Sequence, residues 1–121
     1  MKQEEIIERI KNSSTRVKEI RTMGDVSSIY TNTDGFAQQV VQFRFSCHKD
    51  EDGDVKYMTA CTSMDEEFFY GEENEVRILE HNEVSGRPEG VISYIITKLE
   101  RYFPEENLNE ETGEYALTLD F

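Results

Sequence analysis

The sequence predicts an α+β fold: an antiparallel sheet of about four to six strands, with an N-terminal helix and a second helix from the C-terminal half packed on one face. Three observations predict it. The chain opens with an amphipathic segment, alternates apolar and polar residues through its middle, and has a long apolar helical stripe near its end. With 121 residues, two prolines and no Gly/Ser-rich linker, residues 1–121 are expected to form one domain.

An apolar face of isoleucines predicts a first helix over residues 3–11. The polar run at residues 12–15 weakens it, because Asn, Ser and Thr side chains compete for backbone hydrogen bonds. Beyond this run two interpretations stay open. Apolar residues keep a helical spacing, so the helix can resume to about Met23, or residues 15–21 form a strand instead.

A β-meander is predicted for the next part of the chain. Residues 26–31, 36–48 and 55–62 are rich in β-forming residues, and residues 41–47 of the second segment alternate between apolar and polar side chains. Two acidic, glycine-containing turns separate the three strands, at residues 32–35 and 49–54.

The turn at residues 49–54 fixes which residues of the flanking strands face each other. A two-residue loop at Asp52-Gly53 gives three pairs on the core face: Cys47 with Met58, Phe45 with Ala60, and Phe43 with Thr62. A four-residue loop is the alternative, which shifts the partners but keeps the same faces. Cys61 then falls on the opposite face, together with Arg44 and His48. A disulfide between Cys47 and Cys61 is therefore not expected, because the two side chains point away from each other.

Ser63 and Glu66 match a capping box, which predicts a short helical turn that ends at Gly71. A strand over residues 68–70 is the alternative. Residues 75–81 are predicted as a further strand, and residues 85–88 as a loop.

The strongest helix is predicted over residues 88–103, where six apolar residues form one wide stripe. Pro88 suits its first position, and Pro104 ends it. Residues 115–121 alternate again and predict a last strand.

The formal charge is −13, and it is unevenly distributed. Residues 1–23 carry a net charge of +2, whereas the rest of the chain carries −15. Three acidic clusters contain no Lys or Arg: Asp50–Asp54 (the first cluster), Asp65–Glu75 (the second) and Glu105–Glu114 (the third). Such a chain repels nucleic acids and anionic membranes and attracts basic surfaces, so we expect no direct nucleic-acid or membrane binding.

Calcium binding is disfavoured by the spacing of the first cluster. Asp50, Asp52 and Asp54 occupy positions 1, 3 and 5 of an EF-hand count. Position 6, which should be Gly, is Val55, and position 12, which should be Glu, is Cys61. A hairpin turn with solvated carboxylates is the better interpretation.

Other chemistries lack their signatures. Four candidate zinc ligands match no finger or ribbon spacing: Cys47, His48, Cys61 and His81. The chain has no Walker loop, no GxGxxG and no nucleophile elbow. We therefore expect no enzyme activity, no cofactor and no metal. The charged N-terminus has no signal-peptide pattern, so we expect the cytoplasm of the producing or host bacterial cell.

Aromatic residues interrupt the acidic runs, which suits an interface with a few buried anchors and a charged rim. In an extended strand, residues i and i+2 lie roughly 6.8 Å apart, which is close to the spacing of backbone phosphates. Asp50, Asp52 and Asp54, if extended, would therefore place three carboxylates at about the phosphate spacing of a nucleic acid. The alternative to a partner interface is that the acidic side chains form an ordinary solvated surface and that Phe68 and Phe69 turn into the core. The expected partner-binding residues are Asp50, Glu51, Asp52, Asp54, Asp65, Glu66, Glu67, Tyr70, Glu72, Glu73 and Glu75.

Four segments support a family resemblance: EEIIERIKN, QQVVQFRF before an acidic turn, VISYIITKLERYF, and EENLNEETGEYALTLDF. In this order they resemble small acidic phage anti-CRISPR proteins that inhibit Cas9. The chain departs from that layout by an acidic and aromatic insertion at residues 63–84. The resemblance implies an acidic inhibitor that mimics nucleic acid and occupies the basic groove of a nuclease or CRISPR effector. The alternatives are an immunity or antitoxin-like protein that neutralises a basic toxin, and an acidic accessory or oligomerisation domain.

Overall fold

Two helices cover one face of a five-stranded antiparallel sheet, which confirms the predicted α+β class. The computed structural model describes residues 1–31, 40–65 and 82–115. Its helices and strands are α1 (Gln3–Ser13), β1 (Glu19–Met23), β2 (Val26–Tyr30), β3 (Val40–Lys49), β4 (Val55–Asp65), β5 (Asn82–Gly86), α2 (Pro88–Tyr102), β6 (Leu108–Asn109) and β7 (Glu114–Tyr115). The sheet order is β1-β2-β3-β4-β5, and β6 and β7 form a separate hairpin.

The register of the central hairpin is confirmed. Cys47 faces Met58, Phe45 faces Ala60 and Phe43 faces Thr62 across β3 and β4, which are the predicted pairs. The turn itself is not the predicted two-residue loop, because Lys49 pairs with Val55 and the backbone N–H of Asp50 donates to the carbonyl of Asp54. The ladder shifts between His48 and Lys49, where β3 enters the turn. Cys47 and Cys61 do not form a disulfide with each other. The alternating pattern of β3 therefore assigns the two faces of the sheet correctly.

The core lies between the helices and the face of the sheet that carries the β3 phenylalanines. Each helix contributes one apolar stripe, because residues spaced three or four apart share a helix face. The fully or almost fully buried core side chains are Ile6, Ile10, Ile29, Phe43, Phe45, Cys47, Val55, Met58, Ala60, Val91, Ile95, Leu99 and Phe103.

Both helices begin at the end of the sheet that holds the β3–β4 turn. The backbone N–H of Val55 donates to the carbonyl of Met1 at 2.8 Å, immediately before α1. Gly86 pairs with Met58 near the start of β4, immediately before α2. The two helices therefore run in the same direction toward the other end of the sheet.

Residues after α1 form a strand rather than a resumed helix. α1 continues to Ser13, and β1 occupies Glu19–Met23. The strand alternative is thus closer, although β1 begins later than predicted. Its ladder with β2, in which Ile20 faces Ile29, satisfies the backbone groups that a resumed helix would have paired internally.

Two further predictions are wrong. Ser63 does not cap a helix, because β4 continues to Asp65 in a ladder whose last pair is Asp65 with Val40. The predicted loop at residues 85–88 begins too early, since β5 continues to Gly86. Pro88 does stand in the first turn of α2, as predicted.

Other predictions lie outside the described residues. These are the turn at 32–35, the start of the second predicted strand at 36–39, the helical turn or strand at 66–71, the strand at 75–81, and residues 116–121 of the last strand. Among the residues that the structure describes, none of the helices has the length and apolarity needed to cross a membrane.

Truncation of Ile95 is expected to destabilise the domain. This side chain of α2 is fully buried against the sheet, so Ile95→Ala should lower the free energy of unfolding by about 2–5 kcal/mol. Thr97→Ala changes an exposed residue of the same helix and should stay within about 0.5 kcal/mol of the parent. Urea unfolding followed by circular dichroism measures both. Equal effects of the two substitutions would contradict the described packing.

Candidate functional site

The first acidic cluster forms the β3–β4 turn, and Asp50 organises it. One oxygen of its carboxylate accepts hydrogen bonds from the backbone N–H groups of Asp52 at 3.0 Å and Asp54 at 2.8 Å. The other lies 3.4 Å from the ammonium of Lys56, and the Asp50 side chain is only 19% exposed. Asp50 therefore holds the turn together rather than facing a partner.

The pKa of Asp50 is lowered. Partial burial by itself would raise this pKa, but the backbone N–H of Asp54, the Lys56 ammonium and the backbone N–H of Asp52 together outweigh it. Each of these donors favours the ionised carboxylate over the protonated acid. The negative charge of Asp50 is thus part of the folded turn.

The N-terminus neutralises another part of the first cluster. Lys2 donates from its Nζ to the carbonyl of Asp52 at 3.0 Å and lies 3.7 Å from the Asp54 carboxylate. The amino group of Met1 is 4.0 Å from the same carboxylate. Glu51 and Asp52 expose their carboxylates, and neither has an ion pair with any part of the chain that the structure describes. These two are the first-cluster carboxylates that are exposed without an ion pair among the described residues.

The second cluster begins at the opposite end of the sheet. Asp65 is the last residue of β4, whereas Asp54 directly precedes that strand. At about 3.3 Å per residue, the two lie roughly 35 Å apart along the strand. The described part of the prediction therefore does not converge on one patch. The remaining predicted residues of this cluster lie outside the described residues: Glu66, Glu67, Tyr70, Glu72, Glu73 and Glu75.

The third cluster forms a short turn and a hairpin after α2. Residues Glu105–Asn107 form one 3-10 turn, and β6 and β7 enclose the tip. Gly113 has a φ of 73° and donates its N–H to the carbonyl of Asn109 at 2.7 Å. The Asn109 side chain accepts from the backbone of Glu111 at 3.0 Å. These local hydrogen bonds fix the tip, and Glu110 and Glu111 are exposed on it.

Three side chains from the segment between α1 and β1 attach this hairpin to the sheet. Arg16 donates from Nε to the carbonyl of Phe103 at 2.9 Å, and its guanidinium lies 4.6 Å from the ring centre of Tyr115. Thr15 shares a hydrogen bond of 2.9 Å with the Tyr115 hydroxyl. Lys18 donates from its ammonium to the carbonyl of Gly113. The hairpin is consequently held in one position.

Three of the five third-cluster carboxylates have no ion pair among the described residues. Arg16 forms an ion pair of 3.5 Å with Glu105. Glu106, Glu110 and Glu111 are exposed and have no ion pair within the described ranges. Because the backbone N–H of Lys18 donates to Tyr30, at the Asp65 end of the sheet, the third cluster lies at the same end as the start of the second.

The structure therefore separates the predicted site residues that have partners within the chain from those that are exposed. Asp50 and Asp54 have internal partners, Glu51 and Asp52 are exposed at one end, and Asp65 lies at the other end. Glu106, Glu110 and Glu111 belong to the third cluster but are not among the predicted partner-binding residues. The signal that marks them is the turn sequence Asn-Glu-Glu-Thr-Gly, which fixes exposed carboxylates on a short hairpin.

The cysteines show no activated thiol. Burial raises the pKa of Cys47, and Asp25 adds to that effect. Burial is also the main cause that raises the pKa of Cys61, and the negative charge of Glu83 raises it further. The positive charge of Arg44 acts in the opposite direction and lowers this pKa. Both thiols are therefore protonated at neutral pH. Among the described residues no three His, Cys, Asp or Glu side chains group as metal ligands, and His81 lies outside them.

Comparisons of the chain with protein-family models, with curated proteins and with solved structures found no match. The function must therefore be argued from the charges and contacts of the chain itself.

Replacement of Asp50 by Asn is expected to flatten the acid side of the stability profile. Because its native pKa is lowered, Asp50 stabilises the fold fully above its unfolded pKa of about 3.9 and loses this contribution as the pH falls through the lower native value. Asp50→Asn keeps the hydrogen-bond acceptor but does not titrate. The melting temperature between pH 7 and pH 2 should therefore fall less steeply in this variant. Asp52→Asn is the control, and an equal flattening there would contradict the role of Asp50.

Proposed function

We propose that this protein is a binding protein without catalytic function, which occupies the basic nucleic-acid-binding groove of another protein. The class of partner is a nuclease or CRISPR effector. The observation that carries the proposal is the hairpin of the third cluster, where Glu106, Glu110 and Glu111 are exposed and form no ion pair with any of the described residues. The start of the second cluster, at Asp65, lies at the same end of the sheet.

The physical basis is the combination of net charge and a fixed geometry. A net charge of −13 accelerates encounter with a basic surface, because long-range attraction steers the two proteins together. Carboxylates on a turn that internal hydrogen bonds already order lose less conformational freedom when they bind. Both effects favour competition with phosphates for the same Lys and Arg side chains.

The salt dependence of such binding distinguishes it from apolar docking. Contacts between exposed charges weaken as the Debye length falls, from about 10 Å at 0.1 M salt to about 3 Å at 1 M. The complex should therefore be strongest at low ionic strength. Binding through an apolar face would change little over the same range.

Competition with a DNA duplex is the direct test. A fluorescent 20-base-pair duplex is bound to purified guide-loaded Cas9, a restriction nuclease, a repressor and a basic ribonuclease toxin, and the protein is titrated into each complex. We expect displacement from at least one of the nucleases, and the dissociation constant of the protein from that nuclease, measured directly without DNA, should rise about tenfold or more between 50 and 200 mM salt. Displacement from the toxin alone would indicate the immunity-like alternative. No displacement from any partner would contradict the proposal.

Matched variants then test whether the hairpin is the binding site. Triple substitution of Glu106, Glu110 and Glu111 by Gln should raise the half-displacing concentration about tenfold or more, since exposed carboxylates that meet a basic groove are removed. The control replaces three exposed carboxylates of α1, Glu4, Glu5 and Glu8, by Gln and changes the net charge equally. Equal loss in both variants would mean that only the net charge matters.

A third variant addresses the predicted residues outside the described ranges. It replaces Glu66, Glu67, Glu72, Glu73 and Glu75 by Gln and is compared in the same assay.

A further inference from the structure

The outer edge of β1 is an edge of the sheet with no neighbouring strand among the described residues. β1 is first in the sheet order, and only β2 pairs with it in that part of the chain. Because Cys47 donates to the carbonyl of Asp25, the odd-numbered residues of β2 bond β3 and the even-numbered ones bond β1. Ile20 and Thr22 therefore direct their backbone N–H and C=O groups away from β2.

The side chains along this edge are balanced in charge. On the open face, which is the face opposite the helices, Arg21 donates to both carboxylate oxygens of Glu19 at 2.9 and 3.3 Å. On the helix side, Ile20 is only half-buried. An edge strand with unpaired backbone groups is a template for a further strand, and β1 contains no proline that would prevent such pairing. The sequence Glu-Ile-Arg at this edge is also complementary to itself when it is read in the antiparallel direction.

Three antiparallel registers bring the outward-facing residues of two copies together, with a two-fold axis at Ile20, Arg21 or Thr22. The axis at Ile20 places Glu19 of each copy opposite Arg21 of the other. The axis at Arg21 places the two arginines opposite each other, and the axis at Thr22 places Glu19 opposite Asp25. Like charges directly opposite each other destabilise a pair of strands, whereas opposite charges stabilise it. Charge complementarity therefore selects the register centred on Ile20.

We propose that two copies of this chain pair through β1 about a two-fold axis at Ile20, which joins two five-stranded sheets into one continuous sheet. The two Ile20 residues exchange both backbone hydrogen bonds, and their half-buried side chains meet on the helix side. On the open face, Glu19 and Arg21 of the two copies alternate in sign. Arg21 keeps its bonds to its own Glu19, because a guanidinium has five N–H donors and two of them are used.

The net charge of −13 opposes self-association, but little of it lies at this edge. Residues 1–23, which include β1, carry a net charge of +2. The first cluster lies at the β3–β4 turn, two strands away from β1, and at about 4.8 Å per strand this separation is close to the Debye length of about 10 Å at 0.1 M salt. The third-cluster hairpins attach at Lys18 and lie on opposite sides of the two-fold axis, so they do not face each other.

The sign of the salt dependence separates this inference from the proposed function. Salt screens the long-range repulsion between two acidic copies, so the dimer should become tighter as salt rises. Binding to a basic groove should become weaker over the same range. The inference uses the edge of β1 rather than the acidic clusters and is independent of the proposed function.

Sedimentation equilibrium of the full chain over a hundredfold range of concentration is the first test. We expect a reversible monomer–dimer equilibrium whose dissociation constant falls between about 50 and 500 mM salt. A chain that stays monomeric at the highest concentration and salt would overturn the proposal. A dimer that loosens as salt rises would also overturn it, because such a dimer would be held by attraction between the acidic clusters and cations of the other copy.

Charge reversal separates the specific pairing from the net charge. Glu19→Arg changes the net charge of −13 by +2, so a dimer limited by repulsion alone would tighten. The proposed register instead predicts a dissociation constant about tenfold higher, because two pairs of like charges then lie opposite each other. Glu19→Arg combined with Arg21→Glu keeps the net charge, restores the opposite-charge pairs, and should dimerise within about threefold of the parent.

A matched control for the single substitution is Glu100→Arg, which changes the net charge equally at an exposed position of α2. This variant should not weaken the dimer. Circular dichroism establishes that each variant is folded. A tighter dimer in Glu19→Arg, or no recovery in the double variant, would contradict the register.

Amide hydrogen exchange identifies the edge and tests the other occupants. The N–H of Ile20 points away from β2, so its exchange should be fast in dilute protein and slow as the dimer forms. The N–H of Arg21 bonds to Ser28 and should be protected at every concentration. Protection of Ile20 that is independent of concentration would show that another segment of the same chain covers the edge. Concentration-dependent protection confined to β5 would place the dimer at the other edge, and either result would overturn the proposal.

Discussion

The pairing of β3 with β4 is the interaction on which the rest of the structure depends. These are the two longest strands, and they lie in the centre of the sheet. Their register sets Phe43 and Phe45 on the face that the helices cover. A slip of one residue would exchange them with Arg44 and place a charge in the core. The Asp50 turn, which fixes the loop length, is therefore tied to the burial of the whole inner face.

Period-2 alternation and turn chemistry predicted most of this arrangement. The register, the faces of both cysteines and the extent of α2 follow from local patterns that the tertiary structure does not oppose. The helix predicted from the capping box at Ser63 was wrong because here the tertiary structure opposes the local pattern. Its local helix signal competes with a ladder to Val40, and ladder hydrogen bonds outweigh a cap. β1 was ambiguous because Val17 and Ile20 keep a helical spacing although residues 15–21 could also form a strand, and only pairing with β2 decides between the two.

The candidate site was less predictable, because counting charges does not reveal which of them have partners. Lys2 meets the first cluster about 50 residues away in sequence, and Arg16 reaches Glu105 across an even longer separation. Such contacts have no local signature. From the sequence, three acidic clusters were evident, and Asp50 and Glu51 were equally good candidates for partner binding. In the structure Asp50 accepts hydrogen bonds within the turn, whereas Glu51 is exposed. The sequence did not distinguish the third cluster from the other two. What distinguishes it is its hairpin, which contacts of Thr15, Arg16 and Lys18 hold in place.

The basic N-terminal segment acts as an internal countercharge that organises the acidic surplus. Lys2 contacts the turn of the first cluster, Arg16 and Lys18 attach the hairpin of the third, and Arg21 pairs with Glu19 on the face of the sheet opposite the helices. Each of these cations is used at a different place, and the exposed carboxylates of the first and third clusters are left at opposite ends of the sheet. The β2–β3–β4 ladder holds these two ends apart, so salt screens their mutual repulsion.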